Sequence, residues 1–518
     1  MAWSSDFIAA LSDRATPLRL RYELEVTQAG SSPGVNGWSI TSYGEGSVTT
    51  CQIGDRGVRV VGSTLTAGSW SSTLGQMEVD IVGIVSDLLS SVTRGTFVVL
   101  YVHAWTGSRW AREVLGYGQV QQFVNQPGRR GTLIIRDLLS ALRCRPTLSA
   151  GQLALFYTAT TTTVATDYTP GDTTLGVTST ANFGQETGGS GAVLVTPSSG
   201  DDPFILRWSS TSGGNTFNLS DPGTDQHGTV RVAASAGDIV ASLLMVSDHP
   251  IDIARKILHS TGSGGNGDYD TLPADWGLGL PDAWTDHDDC DLYRIATLAT
   301  MNWEVMSDAE ITDPWSWLSA ILARGGFYLT NRQGQITVRG ALRSGRPTGM
   351  LTSRAGQTVL VITEADVESG TVEAWDEDAE AEVYNLTAYG PTTDASAGGE
   401  DPATLPAIYR QEYDLTDLAF DYGASGDEAQ WLASIVDRVA ESHQRIPERY
   451  ALTCGGMRMA QLAPGDQVEL DLTWYGGRIA PPPGGLLPGI VVQVSPDWGA
   501  NRVSLVVLVY PQSEEVFP

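Results

Sequence analysis

The sequence predicts a mainly β, multi-domain protein made of β-barrel or sandwich modules, with a few short helices and α+β elements in the middle. At 518 residues, the chain is long enough for roughly three to five domains. Hydrophobic residues make up 41% and charged residues 18%, so the chain can bury substantial cores. Most of it alternates between short apolar runs and clusters of Gly, Ser, Asn and Pro, which is typical of strands joined by turns.

Residues 1–150 are predicted to form a β-rich N-terminal domain. The segment Arg19–Val26 alternates apolar and polar residues, so one face of a strand carries its apolar side chains. Denser apolar runs predict two further strands, at Phe97–Val102 and Leu133–Ile135. Short helices at the rim of this domain are predicted at Phe7–Leu11, Ile84–Leu89 and Asp137–Leu142.

Residues 151–248 are predicted to be a small all-β module inserted into the chain. It begins with the threonine-rich run TATTTTVATDYTPGDTTLGVTSTANF and continues through GAVLV, FILRW, NTFNL and GDIVASLL. A disordered threonine-rich linker is the alternative interpretation. The recurring apolar pairs, each bounded by turn residues, favour a folded β module.

Residues 249–345 are predicted to form an α+β domain. Pro250–His259 places its apolar residues on one helical face, with proline at the first turn. A second helix is predicted at Pro314–Ala323, capped by Asp313 and ended by a Gly-Gly pair. The strands FYLT and ITVRG then predict a hairpin whose turn carries Asn331 and Gly334.

Residues 346–518 are predicted to form a second domain, similar to a β-barrel, with a helix at 427–443. The helix begins with a capping box, Ser425-x-x-Glu428. In LAPGDQV, Pro464-Gly465 predicts a tight turn that Asp466 caps by accepting hydrogen bonds from backbone amides. The last hairpin turn is predicted at Asp497–Asn501.

The charge balance excludes one class of partner. With 60 acidic residues against 31 lysines and arginines, the formal net charge is −29. Tight binding to nucleic-acid phosphates needs a basic surface, so no specific nucleic-acid binding is expected. The acidic N-terminus does not match a signal peptide, and no apolar run approaches the ~18 residues that span a bilayer, so no stable membrane insertion is expected. The four cysteines are far apart and are predicted to be free, mostly buried thiols.

The sequence lacks the motifs of several common enzyme classes. It contains no GxSxG, HExxH or GxxxxGK[ST] motif, and the six histidines are scattered. The glycine-rich string Gly262–Asp268 has no lysine and no helix pattern directly after it, so a phosphate-binding loop is not expected. We therefore expect no enzyme activity, no catalytic residue and no cofactor.

The densest group of potential metal ligands is Asp286–Asp291. Asp286, Asp288 and Asp289 are weak candidates for a hard cation such as calcium. Consecutive acids point in different directions, however, so a solvated loop without metal is the preferred interpretation. Among the 15 tryptophans, those that could suggest a sugar-binding platform lie among apolar residues and are predicted to pack in the core; they are Trp276, Trp284, Trp303, Trp315 and Trp317.

Several segments, in this order, resemble the hub proteins at the tail tip of long-tailed bacteriophages and gene transfer agents. That broad family includes baseplate hubs of contractile phages and spike proteins of type VI secretion. The segments are FIAALSDR…LRLRYELEV, YTPGDTTLGVTSTANF…GAVLV, ARKIL leading into GSGGNGDYD, DPWSWLSAILARGGFYLTNRQGQITVRG, VYNLTAYGP and LAPGDQV.

The resemblance implies a structural virion protein that forms a homotrimeric, pseudo-sixfold ring of related β-barrel domains. Its implied partners are the distal tail protein ring, tail fibre and tip proteins, and the C-terminus of the tape-measure protein. Such a hub is assembled in the host cytoplasm and gates the passage of DNA and tape-measure protein through its lumen. A polyanion stays mobile beside carboxylates, which agrees with the acidic composition.

A second function class remains open from the sequence. An acidic chain built of β modules could be a carbohydrate-binding or carbohydrate-cleaving surface protein. That hypothesis requires two carboxylates, or a metal, to converge in a cleft lined by aromatic residues.

Overall fold

The computed structural model confirms a mainly β, multi-domain fold, with four α-helices in the part of the chain that it describes. Some of the predicted helices fall outside that part, namely 427–443, 85–89 and 140–142. The described residues are 3–13, 17–26, 39–43, 45–46, 50–61, 64–66, 71–72, 75–84, 92, 94–126, 129–139, 159–185, 191–220, 222, 229–265, 267–273, 276–296, 303–307, 311, 313–340, 359–373, 385–389, 394–398, 410–414, 419–420, 448–472 and 486–509.

The N-terminal part of the chain forms a curled sheet, which we call the N-unit. Helix α1 precedes it and includes the predicted Phe7–Leu11. The sheet order is β2-β1-β7-β8-β9-β6-β3, and its end strands β2 and β3 contact each other. The elements are α1 (Ser5–Ser12), β1 (Leu20–Val26), β2 (Ser39–Thr41), β3 (Cys51–Val61), the short pair β4 (Leu65–Thr66) and β5 (Ser71–Ser72), β6 (Gln76–Gly83), β7 (Phe97–Trp105), β8 (Trp110–Gln126) and β9 (Arg130–Asp137).

The threonine-rich segment is folded, which confirms the β module over the disordered linker. Its core contains Phe204, Trp208 and Phe217. Most of its strands belong to one sheet, in the order β11-β14-β13-β12-β15, and β10 pairs with β15. They are β10 (Thr161–Thr163), β11 (Thr174–Gly176), β12 (Gly191–Thr196), β13 (Phe204–Ser212), β14 (Thr216–Leu219) and β15 (Ile239–Asp248).

The middle of the chain packs helices against this sheet and against a hairpin. Strand β15 pairs with β12 and also with β16, so one strand serves both the inserted module and the segment that follows it. The predicted helix Pro250–His259 is confirmed, and the second one extends by one residue to Arg324. The elements are α2 (Pro250–His259), α3 (His287–Ala296), β16 (Trp303–Ser307), α4 (Pro314–Arg324), β17 (Phe327–Arg332) and β18 (Gln335–Gly340).

The hairpin β17–β18 differs from its prediction at the turn. Arg332 pairs with Gln335, which leaves a two-residue turn of Gln333 and Gly334. Both turn residues have positive φ, 49° and 81°, as a tight hairpin turn between twisted strands requires. Asn331 lies instead within β17, opposite Ile336.

The C-terminal part forms a second curled sheet, the C-unit, in the order β20-β25-β28-β27-β26-β19. Only Glu364–Asp366 separate β19 from β20 along the chain, although the two strands lie at opposite ends of this order. The sheet therefore closes on itself like a barrel. The strands of this sheet are β19 (Leu360–Thr363), β20 (Val367–Glu373), β25 (Glu448–Gly455), β26 (Gln467–Asp471), β27 (Leu487–Asp497) and β28 (Arg502–Val509). Between β20 and β25 lie a separate three-stranded sheet, of β21 (Asn385–Tyr389), β22 (Asp394–Gly398) and β23 (Arg410–Asp414), and the strand β24 (Ala419–Phe420), which pairs with β16.

The two units join edge to edge through β3 and β27 and so form one 13-stranded sheet. Arg59 is paired with Asp497, and the amide of Trp498 donates to the carbonyl of Val58 at 2.9 Å. Trp498 lies in the predicted turn Asp497–Asn501, which is confirmed between β27 and β28. The two ends of the chain thus build one sheet, and residues 159–340 are inserted between them.

Three aromatic rings cover the contact between the units, and we call them the aromatic clasp: Trp3, Phe7 and Trp498. The ring centroids of Trp3 and Phe7 are 5.1 Å apart, and those of Trp3 and Trp498 are 6.0 Å apart, both edge to face. The hydroxyl of Tyr22 in β1 donates to the carbonyl of Trp498 at 3.1 Å. The N-terminal helix therefore packs against both units at their contact.

Replacing the clasp residue in the C-unit should destabilise the contact between the units. Trp498 is 2% exposed, so Trp498→Ala removes a fully buried indole and should cost about 3–5 kcal/mol. Thermal and urea unfolding followed by fluorescence measure the loss. Trp105→Ala, at a half-buried tryptophan of β7, is the matched control and should cost less. Equal losses in the two variants would contradict the role of the clasp.

The described cysteines should be unreactive in the folded protein. Cys51, Cys290 and Cys454 are free and buried, as predicted, and Cys144 lies outside the described residues. Burial, followed by the nearby carboxylate of Asp366, raises the pKa of Cys454 to about 12, which leaves about 10⁻⁴ of this thiol ionised at pH 8. Alkylation at pH 8 followed by peptide mapping should label these three only after denaturation. Fast labelling of any of them in the native protein would contradict their placement.

Candidate functional site

The acidic run Asp286–Asp291 forms the beginning of helix α3. The carboxylate of Asp286 accepts the amide of Asp289 at 3.3 Å, and its carbonyl accepts the amide of Cys290 at 3.1 Å. Carboxylates are favourable here because they satisfy exposed amides at the positive end of the helix dipole. The preferred interpretation as a solvated loop is wrong for Asp286 and Asp289, which are each 2% exposed, whereas Asp288 is exposed.

Arginines of the hairpin neutralise both buried carboxylates. Asp286 accepts from Nη1 of Arg332 at 2.8 Å. Asp289 accepts from Nε of Arg339 at 2.7 Å and from its Nη2 at 3.3 Å, so this pair is bidentate. The hydroxyl of Thr337 also donates to Asp289, at 2.8 Å. Two of the three candidate ligands therefore act as ion-pair partners between α3 and the hairpin.

The guanidinium of Arg339 also contacts the C-unit, at the turn before β26. Its Nη1 donates to the carbonyl of Pro464 at 2.6 Å and lies 3.1 Å from the carboxylate of Asp466. The hydroxyl of Tyr293 in α3 donates to the carbonyl of Gly465 at 3.1 Å. We call this group the Arg339 junction: Arg339, Asp289, Tyr293 and the turn Pro464–Asp466.

Charge compensation keeps Arg339 ionised although it is fully buried. Burial opposes the charge, but the Coulombic attraction of Asp289, Tyr293 and Asp466 outweighs it and raises the pKa of Arg339 well above its usual value. The junction is therefore a compensated buried ion cluster.

The turn in the junction has the predicted chemistry. The carboxylate of Asp466 accepts the amide of Ala463 at 2.8 Å, which confirms the predicted cap. Gly465 has a φ of +91°, and a Cβ there would lie 1.9 Å from the hydroxyl oxygen of Tyr328. Only glycine fits so close to the hairpin.

A second buried arginine joins helices α2 and α3. Arg255 is fully buried and its Nη1 lies 3.2 Å from Asp252 and 2.7 Å from Asp291. Its Nη2 donates to the carbonyl of His287 at 2.8 Å. Asp252 also pairs with Arg294 at 2.6 Å, and burial raises the pKa of Asp252. The cluster alternates positive and negative groups across the two helices.

The sequence analysis missed one group of side chains that the fold brings together. Donor atoms of His259, Asp282 and His287 all lie within 4.8 Å of one another. They come from the end of α2, from the 3₁₀ turn Asp282–Trp284 and from the first residue of α3. The spacing of these three residues in the sequence matches no known metal-ligand motif. The only local indication of a site was that Asp282 and His287 are five residues apart.

The aromatic residues also follow the packing prediction. Trp276, Trp284, Trp303 and Trp315 are each at most 5% exposed, and Trp317 packs against the same core. Buried indoles cannot present a platform to a sugar. These four tryptophans therefore provide no support for a sugar-binding platform.

A pocket lies where the hairpin turn, the N-unit and the C-unit meet. Its lining includes Trp3, Met77, Gln333, Pro464 and Trp498. The amide of Trp3 donates to the side-chain carbonyl of Gln333 at 3.0 Å. The pocket is thus bounded by the aromatic clasp and by the hairpin that carries Arg339.

Comparison with known proteins gives matches in structure only. No family model matches the chain, and no curated protein sequence is significantly similar to it. No helix in the described part of the chain is long and apolar enough to cross a membrane.

The chain is similar in structure to several tail proteins. A 43 kDa tail protein of prophage MuSo2 from Shewanella oneidensis matches with 10% identity and a TM-score of 0.33, over 95% of this chain and 98% of that one. Prophage tail protein gp18 from Listeria monocytogenes matches with 7% identity and a TM-score of 0.34, over 94% of each chain. A chain of a native gene transfer agent virion matches with 16% identity and a TM-score of 0.18, over 46% of this chain and 83% of that one. These scores are too low to establish a family.

Removing the charge at the centre of the junction should destabilise the protein strongly. Arg339→Met leaves Asp289 and Asp466 buried without their cation, which should cost about 3–5 kcal/mol. Urea unfolding measures the loss. Arg449→Met removes an exposed pair with Glu373 and should cost at most about 1 kcal/mol.

A rescue variant separates charge from packing at this position. Adding Asp289→Asn and Asp466→Asn to Arg339→Met removes the uncompensated charges and should recover part of the loss. If Arg339→Met is no more destabilising than Arg449→Met, the junction does not contribute to stability as described.

Proposed function

We propose that this chain is a structural virion protein of a phage-type tail and forms the hub at the tail tip. One observation carries the proposal: each chain holds two curled β units, of seven and six strands, joined edge to edge through β3 and β27. Three copies would therefore supply six β units. A homotrimer of this kind can form a pseudo-sixfold ring that fits a sixfold tube on one side and a threefold tip on the other.

The order of segments along the chain supports this assignment. The hub resemblance rests on segments that belong to the N-unit, the inserted module, the helices and hairpin, strand β21 and the turn before β26. In the structure, the two β units come from opposite ends of the chain, and the remaining modules are inserted between them. A hub that joins its partners through inserted modules can keep its ring of β units intact.

The charge of the chain supports a role as a conduit. A formal charge of −29 repels DNA phosphates, so DNA and tape-measure protein can pass through a lumen without being retained. In this proposal, the ring binds the distal tail protein, fibre or tip proteins and the C-terminus of the tape-measure protein. The hub gates the passage of DNA and tape-measure protein and is assembled in the host cytoplasm.

The proposed activity is assembly and not catalysis. Asp286 and Asp289, the buried acids of the sequence-derived candidate site, form ion pairs with Arg332 and Arg339. These ion pairs hold helix α3 against the hairpin β17–β18. We therefore assign the chain no catalytic residue and no cofactor for this function.

Copy number and position in the particle test the proposal. We expect three copies per tail by quantitative mass spectrometry, counted against the tube protein. An epitope inserted at the exposed turn Gly213–Gly214, between β13 and β14, should place gold label at the distal end of the tail. Untagged particles serve as the labelling control. Particles that lack the chain, or that carry it along the tube in multiples of six, would overturn the hub.

A further inference from the structure

Two histidines and one carboxylate meet where α2 ends and α3 begins, and we call them the His-His-Asp group. Nε2 of His287 lies 3.0 Å from Oδ1 of Asp282. All three donor atoms of the group, including one from His259, lie within 4.8 Å of one another. The ligands of a tetrahedral ion with bonds of about 2.0–2.2 Å are roughly 3.3–3.6 Å apart, so the three donor atoms would have to approach one another by at most about 1.5 Å.

The hydrogen bonds of His259 fix its tautomer. Its Nδ1 lies 2.9 Å from the carbonyl oxygen of Leu280, which can only accept, so Nδ1 carries the proton. The lone pair of the neutral ring is then on Nε2, which accepts from the hydroxyl of Thr285 at 2.9 Å. Metal-binding histidines are commonly oriented in this way, with the second nitrogen donating to a backbone carbonyl.

His287 supplies the second, independent observation that points to a ligand. Nε2 of His287 pairs with Asp282, whereas Nδ1 has no hydrogen-bond partner among the described residues. The ring of Tyr269 stacks on His287 with an interplanar angle of 2° and so fixes its orientation. A buried ring nitrogen without a hydrogen bond, such as this Nδ1, is costly unless something else binds it.

We propose that His259, Asp282 and His287 bind a zinc ion. Two imidazoles and one carboxylate suit Zn²⁺, whereas Ca²⁺ and Mg²⁺ prefer oxygen ligands alone. Three protein ligands leave a fourth position for water or an incoming group. The side chain of Asp282 is 50% exposed, so the ion can enter from solvent.

The positive charge of Arg255 does not strongly oppose the binding of a cation to the His-His-Asp group. Arg255 is close to His287, since it donates to that residue's carbonyl. Its own charge is compensated by Asp252 and Asp291. Binding would instead require Thr285 to give up its hydrogen bond to His259, and a hydroxyl can do so by rotation.

The bound ion would connect three elements. It would join the end of α2, the 3₁₀ turn and the start of α3, which is also the helix that carries Asp289 of the Arg339 junction. This inference is independent of the tail-tip role, because it depends only on the three side chains and their surroundings.

Metal binding to the purified full-length chain tests the site. After dialysis against a chelator, Zn²⁺ is added alone and measured by calorimetry and by elemental analysis. We expect about one equivalent per chain and a raised unfolding temperature, since a ligand that binds only the folded state stabilises it. Co²⁺ in place of Zn²⁺ should give the visible absorption of a four-coordinate ion.

Two ligand variants and one control variant make the result specific. Asp282→Asn and His287→Ala should each weaken binding at least about tenfold. Asp288→Asn, an exposed acid next to His287, should bind as the unchanged chain does. Circular dichroism confirms that each variant is folded; Asp282 is half-exposed, so its variant should fold normally.

Two outcomes would overturn the site. The first is uptake of less than about 0.2 equivalents by the unchanged chain. The second is equal affinity in the unchanged chain, Asp282→Asn and His287→Ala, which would place the ion elsewhere.

Discussion

The structure depends on compensating one fully buried charge. Arg339 lies in the hairpin, and its guanidinium contacts Asp289 of α3 and the Pro464–Asp466 turn of the C-unit. An arginine without partners is very unfavourable in an apolar interior, so these segments must meet in one arrangement. The same constraint explains Gly465, where a side chain would collide with Tyr328. The middle of the chain is thereby fixed relative to the second β unit.

The contact between the two β units depends on different forces. One register pair joins β3 to β27, and the aromatic clasp supplies buried apolar area around it. Because Trp3 and Phe7 contribute two of the three rings, the start of the chain stabilises a contact made near its end. A long insertion is compatible with this arrangement, since both units are closed by strands from outside the insertion. Such a protein can offer several binding surfaces on its inserted modules while its two β units keep their positions. A component of a ring needs both properties.

The acidic composition has two physical roles that the sequence alone does not separate. Some carboxylates are buried and paired with arginine, such as Asp286 with Arg332, and others remain exposed, such as Asp288. The arginine partners of Asp286 and Asp289 lie more than 40 residues away in sequence, in the hairpin. Long-range pairing is invisible to local pattern analysis, so the solvated-loop interpretation was wrong for the buried pair. For the same reason, the meeting of His259 with Asp282 and His287 could not be predicted.

The sequence by itself determined the elements whose cause is local. Periodicity predicted β1 and α2, the cap and the glycine pair predicted α4, and the turn chemistry predicted Pro464–Asp466. The division of the chain into domains at residues 150, 248 and 345 stays a prediction. Strand β15 pairs with β12, which precedes residue 248, and with β16, which follows it. Only the tertiary structure decided that the ends of the chain share one sheet and that Arg339 unites distant segments. Strand pairing and ion pairing are made between residues far apart in sequence, so they depend on the packed chain and leave no local pattern.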